Sequence, residues 1–210
     1  MGKVNWFLFN SGNSAEVGMI LGRNMKVSFD LDGTLFIDED EVEAENKPKF
    51  PFSYFYKERL RFGSVELMKK IIKEDIELWI YTSSYRTKNY IKNYFRIYGI
   101  KIKSKNIINA QRHLDEIQKI NHNINVSKDP RIFNIDLHID DDTSLKQYGD
   151  INGFKVFSLT GNNKNWNNEV WDEIMKTFAS RTVEMTGSVN VGKTDLDFKE
   201  ESKKLVAEGA

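Results

Sequence analysis

An apolar segment that ends abruptly in two carboxylates is the feature that most limits how this chain can fold. Residues 25–29 read as a short buried strand, and Asp30 and Asp32 follow it one residue apart, ahead of Gly33 and Thr34. A buried strand with this ending presents both acids at the carboxyl edge of a sheet, which is where open α/β folds bind their ligands. Two such acids can hold a hard cation, and one of them can attack a phosphoryl group. Gly33 permits the tight turn that has to follow.

Two further apolar segments end in groups that suit the same chemistry. Residues 76–81 run into a hydroxyl cluster and residues 135–139 run into an acidic cluster: Thr82-Ser83-Ser84 and Asp140-Asp141-Asp142. Between these segments, Lys128 stands next to a turn made rigid by Asp129-Pro130. Because parallel strands end at a common edge of their sheet, the three acid or hydroxyl motifs are predicted to converge on one sheet edge, and the turn could direct Lys128 inward.

In chain order these segments read D-x-D-G-T, a hydroxyl after a strand, a lysine, and an acid pair after a strand. That order resembles the four motifs of the haloacid dehalogenase superfamily, and the resemblance extends over residues 25–178. It implies an α/β fold: a Rossmann-like parallel sheet with helices on both faces and no large cap domain. Four partial matches in the right order are a much stronger signal than any one of them alone.

The resemblance also implies a role for each matched residue. Asp30 would be the nucleophile, and Asp32 would be the acid that protonates the leaving oxygen and then the base that activates water. Mg²⁺ would be held by Asp30, the backbone carbonyl of Asp32 and an acid of the fourth motif. Asp141 is preferred to Asp140 for that last position, although the spacing from the strand leaves both open.

The remaining implied roles concern the phosphoryl group. Thr82 would donate a hydrogen bond to it, and Lys128 would offset the negative charge of the acids and of the transferring phosphate. Lys119 is the alternative lysine, but it follows a segment that reads as an exposed helix. Arg86 is predicted to reach a substrate phosphate, and its alternative is a solvent-facing arginine near a helix start. The other predicted substrate-binding residues are Gly33, Thr34 and Ser83.

The rest of the sequence alternates strands and helices, which predicts a parallel sheet with right-handed crossovers. The predicted strands are residues 25–29, 76–81, 106–108, 135–139 and 154–159. The predicted helices are residues 65–73, 85–98, 114–121, 143–148 and 168–178. An aromatic stripe at helical spacing on the second helix predicts core packing, and Gly99 is placed to end that helix. We expect one domain at residues 25–179, an extension at 1–24 and a charged tail at 180–210.

Composition narrows the setting of this domain. The formal net charge is zero, which argues against indiscriminate nucleic-acid binding and leaves a local interaction with nucleic acid open. The 210 residues include no cysteine, so disulfides and thiolate metal sites are excluded. No apolar segment approaches the roughly 20 residues that span a membrane. We therefore expect a soluble protein of the cytoplasm, or of the virion or host cytoplasm for a viral protein, with no membrane partner.

Several residues have a competing structural explanation. The three histidines lack metal-ligand spacing: His113, His122 and His138. The last of them is expected to be packed and hydrogen-bonded within its strand. Asp142 suits a helix N-cap as well as a metal ligand. Residues 187–194 match the phosphate-binding pattern G-x-x-x-x-G-K-T after a candidate strand at 182–185, but no sheet follows to support such a loop, and we expect a coincidence.

The segment between the first two motifs, residues 37–63, is expected to form a flap because it is too short for a folded cap. An open site of this kind suits a bulky phosphorylated substrate, such as a nucleotide or a nucleic-acid end. Together with the four motifs, the resemblance implies a Mg²⁺-dependent phosphoester hydrolase that acts through an aspartyl-phosphate at Asp30. The alternative is a binding or structural subunit whose N- or C-terminal extension docks onto a protein partner, with Trp6, Phe7, Leu8 and Phe9 as an apolar hook or an extra edge strand.

Overall fold

A five-stranded parallel sheet forms the centre of the structure, a computed structural model that describes residues 24–120 and 127–190. In chain order the strands are β1 (Lys26–Phe29), β2 (Phe36–Ile37), β3 (Arg59–Leu60), β4 (Glu77–Tyr81), β5 (Ile107–Ile108), β6 (Leu137–Asp140) and β7 (Val156–Ser158). Five of them pair in the order β5-β4-β1-β6-β7, and every neighbouring pair is parallel. All five predicted strands are present, and the predicted Rossmann-like α/β architecture is confirmed.

The order of the strands reverses at β1. From β1 the chain adds β4 and β5 on one side, and it then returns to add β6 and β7 on the other side. Val27 of β1 is in register with Leu78 of β4 and with Leu137 of β6. Open α/β sheets bind ligands at such a reversal, outside the carboxyl ends of the strands. The residues that follow β1 and β6 therefore occupy the favoured place for a binding site.

Helices and short 3₁₀ turns connect the strands. The α-helices in the described part of the chain are α1 (Phe52–Phe55), α2 (Ser64–Lys73), α3 (Lys88–Ile97), α4 (Ala110–Ile120), α5 (Thr143–Asn152) and α6 (Trp166–Asn190). Within the same described part, 3₁₀ turns lie at Ser104–Asn106 and Pro130–Phe133. Among the residues that the structure describes, none of these helices combines the length and the apolar composition that a bilayer crossing requires.

Local hydrogen bonds explain where the predicted helix boundaries were wrong. α3 begins later than predicted because the side chain of Thr87 accepts a hydrogen bond from the backbone N–H of Tyr90. α4 begins earlier than predicted, where Asn109 Oδ1 accepts from the backbone N–H of Arg112. α5 continues past its predicted end until Gly153, whose φ of 76° only glycine adopts readily.

Both faces of the central sheet are packed. The strands that flank the reversal contribute side chains with no exposed surface: Val27, Phe29, Ile80 and Ile139. The aromatic stripe of α3 also packs inward, as predicted, and its fully buried members are Ile91, Tyr94 and Phe95. Burial of each large apolar side chain contributes about 1.5–3 kcal/mol, so this core holds the ends of β1, β4 and β6 firmly in place.

The segment between β1 and α2 folds as a small flap without a cap domain. It contains the antiparallel pair of β2 and β3 and the four-residue helix α1. Aromatic side chains on and beside α1 are exposed: Phe50, Phe52, Tyr54 and Phe55. The predicted absence of a large cap therefore holds for this segment, all of which the structure describes.

α6 corrects two expectations about the end of the chain. It continues well beyond its predicted end at residue 178, and residues 182–185, predicted as a candidate strand, are helical. Extending an existing helix adds a hydrogen bond for each residue fixed, which outweighs a weak strand preference over four residues. Residues 187–190 of the phosphate-loop pattern are helical too, and 191–194 lie outside the described residues. Residues 24–177 form one compact unit, and the continuation of α6 from residue 178 falls outside it.

Candidate active site

Three aspartates from two strand ends meet at the carboxyl edge of the sheet. Asp30 follows β1, Asp140 is the last residue of β6, and Asp141 comes directly after it. One carboxylate oxygen from each lies within 4.8 Å of the other two. Asp30 and Asp140 are buried, whereas Asp141 is exposed. A cluster of three carboxylates at this spacing can bind a metal ion, and an all-oxygen donor set favours a hard cation.

A buried lysine reaches the same cluster. Lys128 Nζ lies 2.8 Å from Asp30 Oδ1 and 2.6 Å from Asp140 Oδ2. The contact with Asp140 is a hydrogen-bonded ion pair, whereas the contact with Asp30 is an ion pair without hydrogen-bond geometry. Lys119, the alternative in the sequence, is exposed and pairs with Glu116 on its own helix. The lysine that meets the acids is therefore Lys128.

Burial and charge act in opposite directions on these groups. Burial raises the pKa of Asp30 above its ordinary value, even though Lys128 opposes that change. Burial would also raise the pKa of Asp140, but contacts with His138 and Lys128 hold it well below its ordinary value. For Lys128, burial alone would lower the pKa, and the two carboxylates more than offset this, so its pKa is raised. Asp140 and Lys128 are consequently both charged at neutral pH.

The two acids of the fourth motif have different surroundings. Asp140 accepts hydrogen bonds on both of its oxygens, from Lys128 and His138 on Oδ2 and from the backbone N–H of Asp142 on Oδ1. Asp141 accepts one hydrogen bond on Oδ1, from the hydroxyl of Thr34 at 3.0 Å. Asp141 therefore has more acceptor capacity left for an external ion. Asp142 caps α5 by accepting from the backbone N–H of Ser144.

Gly33 and Thr34 lie next to Asp141. Gly33 adopts a φ of 79°, and a Cβ at this position would lie 2.3 Å from Asp141 Oδ2. The position therefore favours glycine for its backbone conformation, and a larger residue would have to displace the carboxylate of Asp141. Thr34 is fully buried and its hydroxyl donates to Asp141. Both residues are predicted to bind substrate; in the structure Thr34 bonds to Asp141, and Gly33 lines the cleft beside it.

Asp32 does not belong to the cluster of three aspartates, and it pairs with Arg86. Asp32 Oδ2 lies 2.7 Å from Arg86 Nη1, and Arg86 Nε lies 3.2 Å from Glu58 Oε1. Glu58 also accepts a hydrogen bond from the hydroxyl of Tyr90. Burial would raise the pKa of Glu58, but the hydrogen bonds from Tyr90 and Arg86 lower it. Arg86 is therefore paired with two carboxylates in this structure, and it links the flap to Asp32.

The hydroxyl cluster after β4 is arranged as a tight turn. Thr82 is buried, its backbone N–H donates to the carbonyl of Ile108, and its Oγ1 donates to Ser84 Oγ at 3.2 Å. The backbone N–H of Ser84 donates back to Thr82 Oγ1 at 3.1 Å. Ser83 is exposed. The structure places this turn at the same sheet edge as the acids, because β4 is the neighbour of β1.

The sequence reasoning missed a buried arginine. Arg61 follows β3 and is only 3% exposed, and it donates to three backbone carbonyls, those of Thr34 at 2.7 Å, Gly33 at 3.0 Å and Gly161 at 3.3 Å. Burial lowers its pKa, and the nearby charge of Asp141 partly offsets that change. Arg61 thus fixes the turn that carries the first motif. No local sequence signal marks it, because it contacts residues more than twenty positions away.

Two buried histidines form hydrogen bonds in the interior of the protein. His138, predicted to be packed and hydrogen-bonded, is fully buried and bonded to both Ser28 and Asp140. His113 Nδ1 is hydrogen-bonded to the hydroxyl of Tyr81, which in turn accepts from the backbone N–H of Asp129. Neither histidine belongs to the acid cluster that could hold an ion. The third, His122, lies outside the described residues, as do Trp6 and Phe7.

A cleft with a volume of about 500 Å³ opens beside the acids. Its walls come from the turn after β1, the flap and the segment after β7, and they include Gly33, Glu41, Arg61, Asp141 and Asn162. Asp141 is thus accessible from the cleft, whereas Asp30 lies deeper in the protein.

Comparisons with known proteins add little to this geometry. No protein-family model matches the chain, and no curated protein matches it. Among solved structures, the hypothetical protein PH1952 from Pyrococcus horikoshii OT3 is similar to it, with 15% identity and a TM-score of 0.32. The match covers 64% of this chain and 41% of that chain, so it spans less than half of that protein. Any function has to be inferred from the side chains of the site itself.

Proposed function

We propose that this chain is a Mg²⁺-dependent phosphoester hydrolase of the haloacid dehalogenase type, with residues 25–179 as its catalytic domain and Asp30 as its nucleophile. The position of Asp30 carries the proposal. Its carboxylate is buried at the switch point of the sheet, 2.8 Å from Lys128 Nζ, and it shares a cluster with Asp140 and Asp141. Burial removes the water that would otherwise weaken a carboxylate as a nucleophile.

Mg²⁺ suits this donor set because every candidate ligand is an oxygen. Asp30, Asp141 and the backbone carbonyl of Asp32 would hold the ion, with the remaining acceptor site of Asp140 as the alternative. The tight approach of Gly33 to Asp141 also fits, since it keeps that carboxylate in the cluster. When bound, the ion would supply positive charge to the oxygens of the phosphoryl group.

The proposed reaction has two displacements. In the first, a carboxylate oxygen of Asp30 attacks phosphorus, the bond from phosphorus to the ester oxygen breaks, and Asp32 gives a proton to the departing oxygen. In the second, Asp32 takes a proton from water, the water oxygen attacks phosphorus, and the bond to Asp30 breaks to release inorganic phosphate. Lys128 stabilises the added negative charge in both steps. Thr82, whose hydroxyl donates to Ser84 in the structure, would turn that proton to the phosphoryl group.

The ion pair with Arg86 limits when Asp32 can act as the acid in this reaction. It occupies Oδ2 of Asp32, and that oxygen becomes available to a leaving group only when the ion pair opens. A phosphorylated substrate offers Arg86 an alternative anionic partner. We therefore propose that the substrate phosphate draws Arg86 away from Asp32, so that binding of substrate prepares the acid. The flap leaves room for a substrate larger than phosphate itself, such as a nucleotide or a nucleic-acid end.

The proposal is tested by measuring hydrolysis of para-nitrophenyl phosphate with Mg²⁺ by wild type and by Asp30→Asn. We expect the variant to lose at least about a thousandfold in rate, because the amide cannot form the covalent intermediate. Removal of Mg²⁺ by a chelator should abolish the wild-type activity, and added Mg²⁺ should restore it.

Asp150→Asn is the matched control, because Asp150 is an exposed acid that pairs with Lys146 on α5. It should keep full activity. Equal activity of Asp30→Asn and wild type would rule out Asp30 as nucleophile. Absence of turnover by wild type over a broad panel of phosphoesters would contradict the proposed function as a whole.

A further inference from the structure

A buried imidazole lies next to the acid cluster and takes no part in the proposed reaction. His138 has no exposed surface, and the register of β1 and β6 places it opposite Ser28. Its Nδ1 lies 2.8 Å from Ser28 Oγ, and its Nε2 lies 2.9 Å from Asp140 Oδ2. An apolar side chain would fill this interior position without a desolvation cost, so two polar contacts here call for a reason.

The acceptor sites of Asp140 show what His138 does. Oδ2 accepts from His138 and from Lys128, and Oδ1 accepts from the backbone N–H of Asp142 at 2.9 Å. A carboxylate has about four acceptor sites, so most of those on Asp140 are taken by the protein. Rotation of this side chain would break all three contacts at once. Asp140 is therefore held in one orientation.

Lys128 depends on that orientation. Its ammonium group lies between two carboxylates, 2.6 Å from Asp140 and 2.8 Å from Asp30. The contact with Asp140 has hydrogen-bond geometry and the contact with Asp30 does not, so Asp140 is the partner that directs the ammonium group. If Asp140 turned away, Lys128 would lose its directional contact and its fixed distance from Asp30.

We propose that His138 is a positioning residue: its Nε2–H holds Asp140, and Asp140 holds Lys128 against Asp30. Ser28 completes the chain by donating its hydroxyl proton to Nδ1, which keeps the ring proton on Nε2. The predicted effect on catalysis rests on the proposed function, whereas the chain of hydrogen bonds exists independently of it. Residues that orient groups in direct contact with a metal or substrate typically change affinity or activity by about 10- to 100-fold when they are replaced.

Two substitutions of His138 separate positioning from packing. His138→Leu fills the site but removes both hydrogen bonds, and His138→Gln keeps an N–H donor near the place of Nε2. With para-nitrophenyl phosphate we expect His138→Leu to lower kcat by about 10- to 100-fold with little change in KM, and His138→Gln to recover most of the loss. Ile71→Ala, at a buried position on α2, is the control for lost stability and should leave kcat unchanged.

A second measurement needs neither Mg²⁺ nor substrate. Nitrogen-15 NMR of the imidazole rings in the full chain should show a His138 ring protonated on Nε2, with an N–H that exchanges slowly with solvent. That signal should shift in Asp140→Asn. Ser28→Ala leaves the ring in place, so it should shift the Nδ1 signal and lower kcat less than His138→Leu does. It also supplies the kinetic test if the leucine variant does not fold.

These results distinguish failure of this inference from failure of the proposed function. A His138 ring protonated on Nδ1 alone, or a ring signal that does not respond to Asp140→Asn, would overturn the positioning role even in an inactive protein. So would wild-type kcat in His138→Leu, or equal losses in the leucine and glutamine variants. A wild type without phosphatase activity would instead refute the proposed function, and the NMR measurement alone would then decide the hydrogen-bond chain.

Discussion

The site has a buried inner half and a partly exposed outer half, and each contains an acid–base ion pair of almost the same length. In the inner half, Lys128 and Asp140 are 2.6 Å apart with side chains 5% and 1% exposed. In the outer half, Arg86 and Asp32 are 2.7 Å apart with side chains 28% and 54% exposed. Equal distances here do not mean equal energies, because water screens the outer pair and is excluded from the inner one.

The two halves also differ in what holds them. The inner acids stand at the ends of β1 and β6, two neighbouring strands of a packed sheet. The outer residues come from the turn after β1, from the flap and from the loop before α3, and they meet through side chains alone. A fixed inner half suits a nucleophile and its lysine. An outer half whose contacts are easily exchanged suits an acid that must change partners during the reaction.

Removal of the lysine should produce the largest effect. Lys128→Met leaves Asp30 and Asp140 buried beside each other without a cation, which typically costs about 3–5 kcal/mol in the free energy of unfolding. Urea denaturation at pH 7 in the absence of divalent ions measures this cost. Lys119→Met is the matched control, because Lys119 is an exposed lysine in a pair on α4, and its replacement should cost no more than about 1 kcal/mol.

The same variant has a pH dependence whose sign follows from Asp30. Burial raises the pKa of Asp30 above its ordinary value of 3.8, whereas the pKa of Asp140 is held below that value. A carboxyl with a raised folded-state pKa binds its proton more tightly when folded, so stability increases as the pH falls through that raised pKa. Lys128→Met should therefore regain part of its lost stability on mild acidification. A loss of stability of similar size in Lys128→Met and Lys119→Met would contradict the high cost expected for leaving Asp30 and Asp140 buried without a cation.

The sequence identified the inner half through strand ends. The acids at positions 30, 140 and 141 each follow an apolar run, and a parallel sheet brings the ends of such runs together whatever the rest of the chain does. Lys128 was harder to identify, because its position depends on the turn at Pro130 as well as on a strand. Motif order favoured it over Lys119, and the structure places Lys128 alone of the two against the acids.

The outer half and the supporting residues could not be predicted in this way. Glu58 meets Arg86 across 28 positions, and Ser28 meets His138 across 110, so no local pattern records either contact. Arg61 was missed for the same reason: its partners are backbone carbonyls, which every residue possesses. The contacts of Glu58 and Arg61 depend on how the flap folds back on the sheet, and the contact of Ser28 depends on the register of β1 and β6. Both are decided by tertiary packing and not by periodicity.

Gly33 follows Asp32 of the outer half and lies against Asp141 of the acid cluster. Its replacement should therefore change stability less than the loss of Lys128 and more than the loss of Arg86. In Gly33→Ala the new methyl group would meet Asp141 Oδ2 at 2.3 Å, and the positive φ would be strained. We expect a loss of about 1–2 kcal/mol in stability from the backbone and a loss of about tenfold in Mg²⁺ affinity, measured by calorimetry, from displacement of Asp141.

Gly153→Ala is its matched control, because Gly153 has a φ of 76° and no atom within 4 Å of its added Cβ. It should lose similar stability and keep the ion affinity of wild type. Equal Mg²⁺ affinity in both alanine variants would show that Asp141 does not contribute to ion binding. Asp141 would then resemble the outer half of the site both in its exposure and in its small contribution to binding.

The smallest change in stability should come from Arg86→Met, and it tests the outer half directly. The methionine keeps an apolar stem near the ring of Phe36 while it removes the ion pairs with Asp32 and Glu58. Pairs with this exposure contribute about 0.2–1 kcal/mol, and salt screens them, so the difference from wild type should shrink as salt is added. A double-mutant cycle with Glu58→Gln, measured by urea denaturation at low and high salt, gives the coupling energy between Arg86 and Glu58.

If that coupling energy reached the size expected for Lys128 and resisted salt, the outer pair would be a fixed structural element. Asp32 could not then be released by substrate, and the proposed exchange of Arg86 between Asp32 and a phosphate would be wrong.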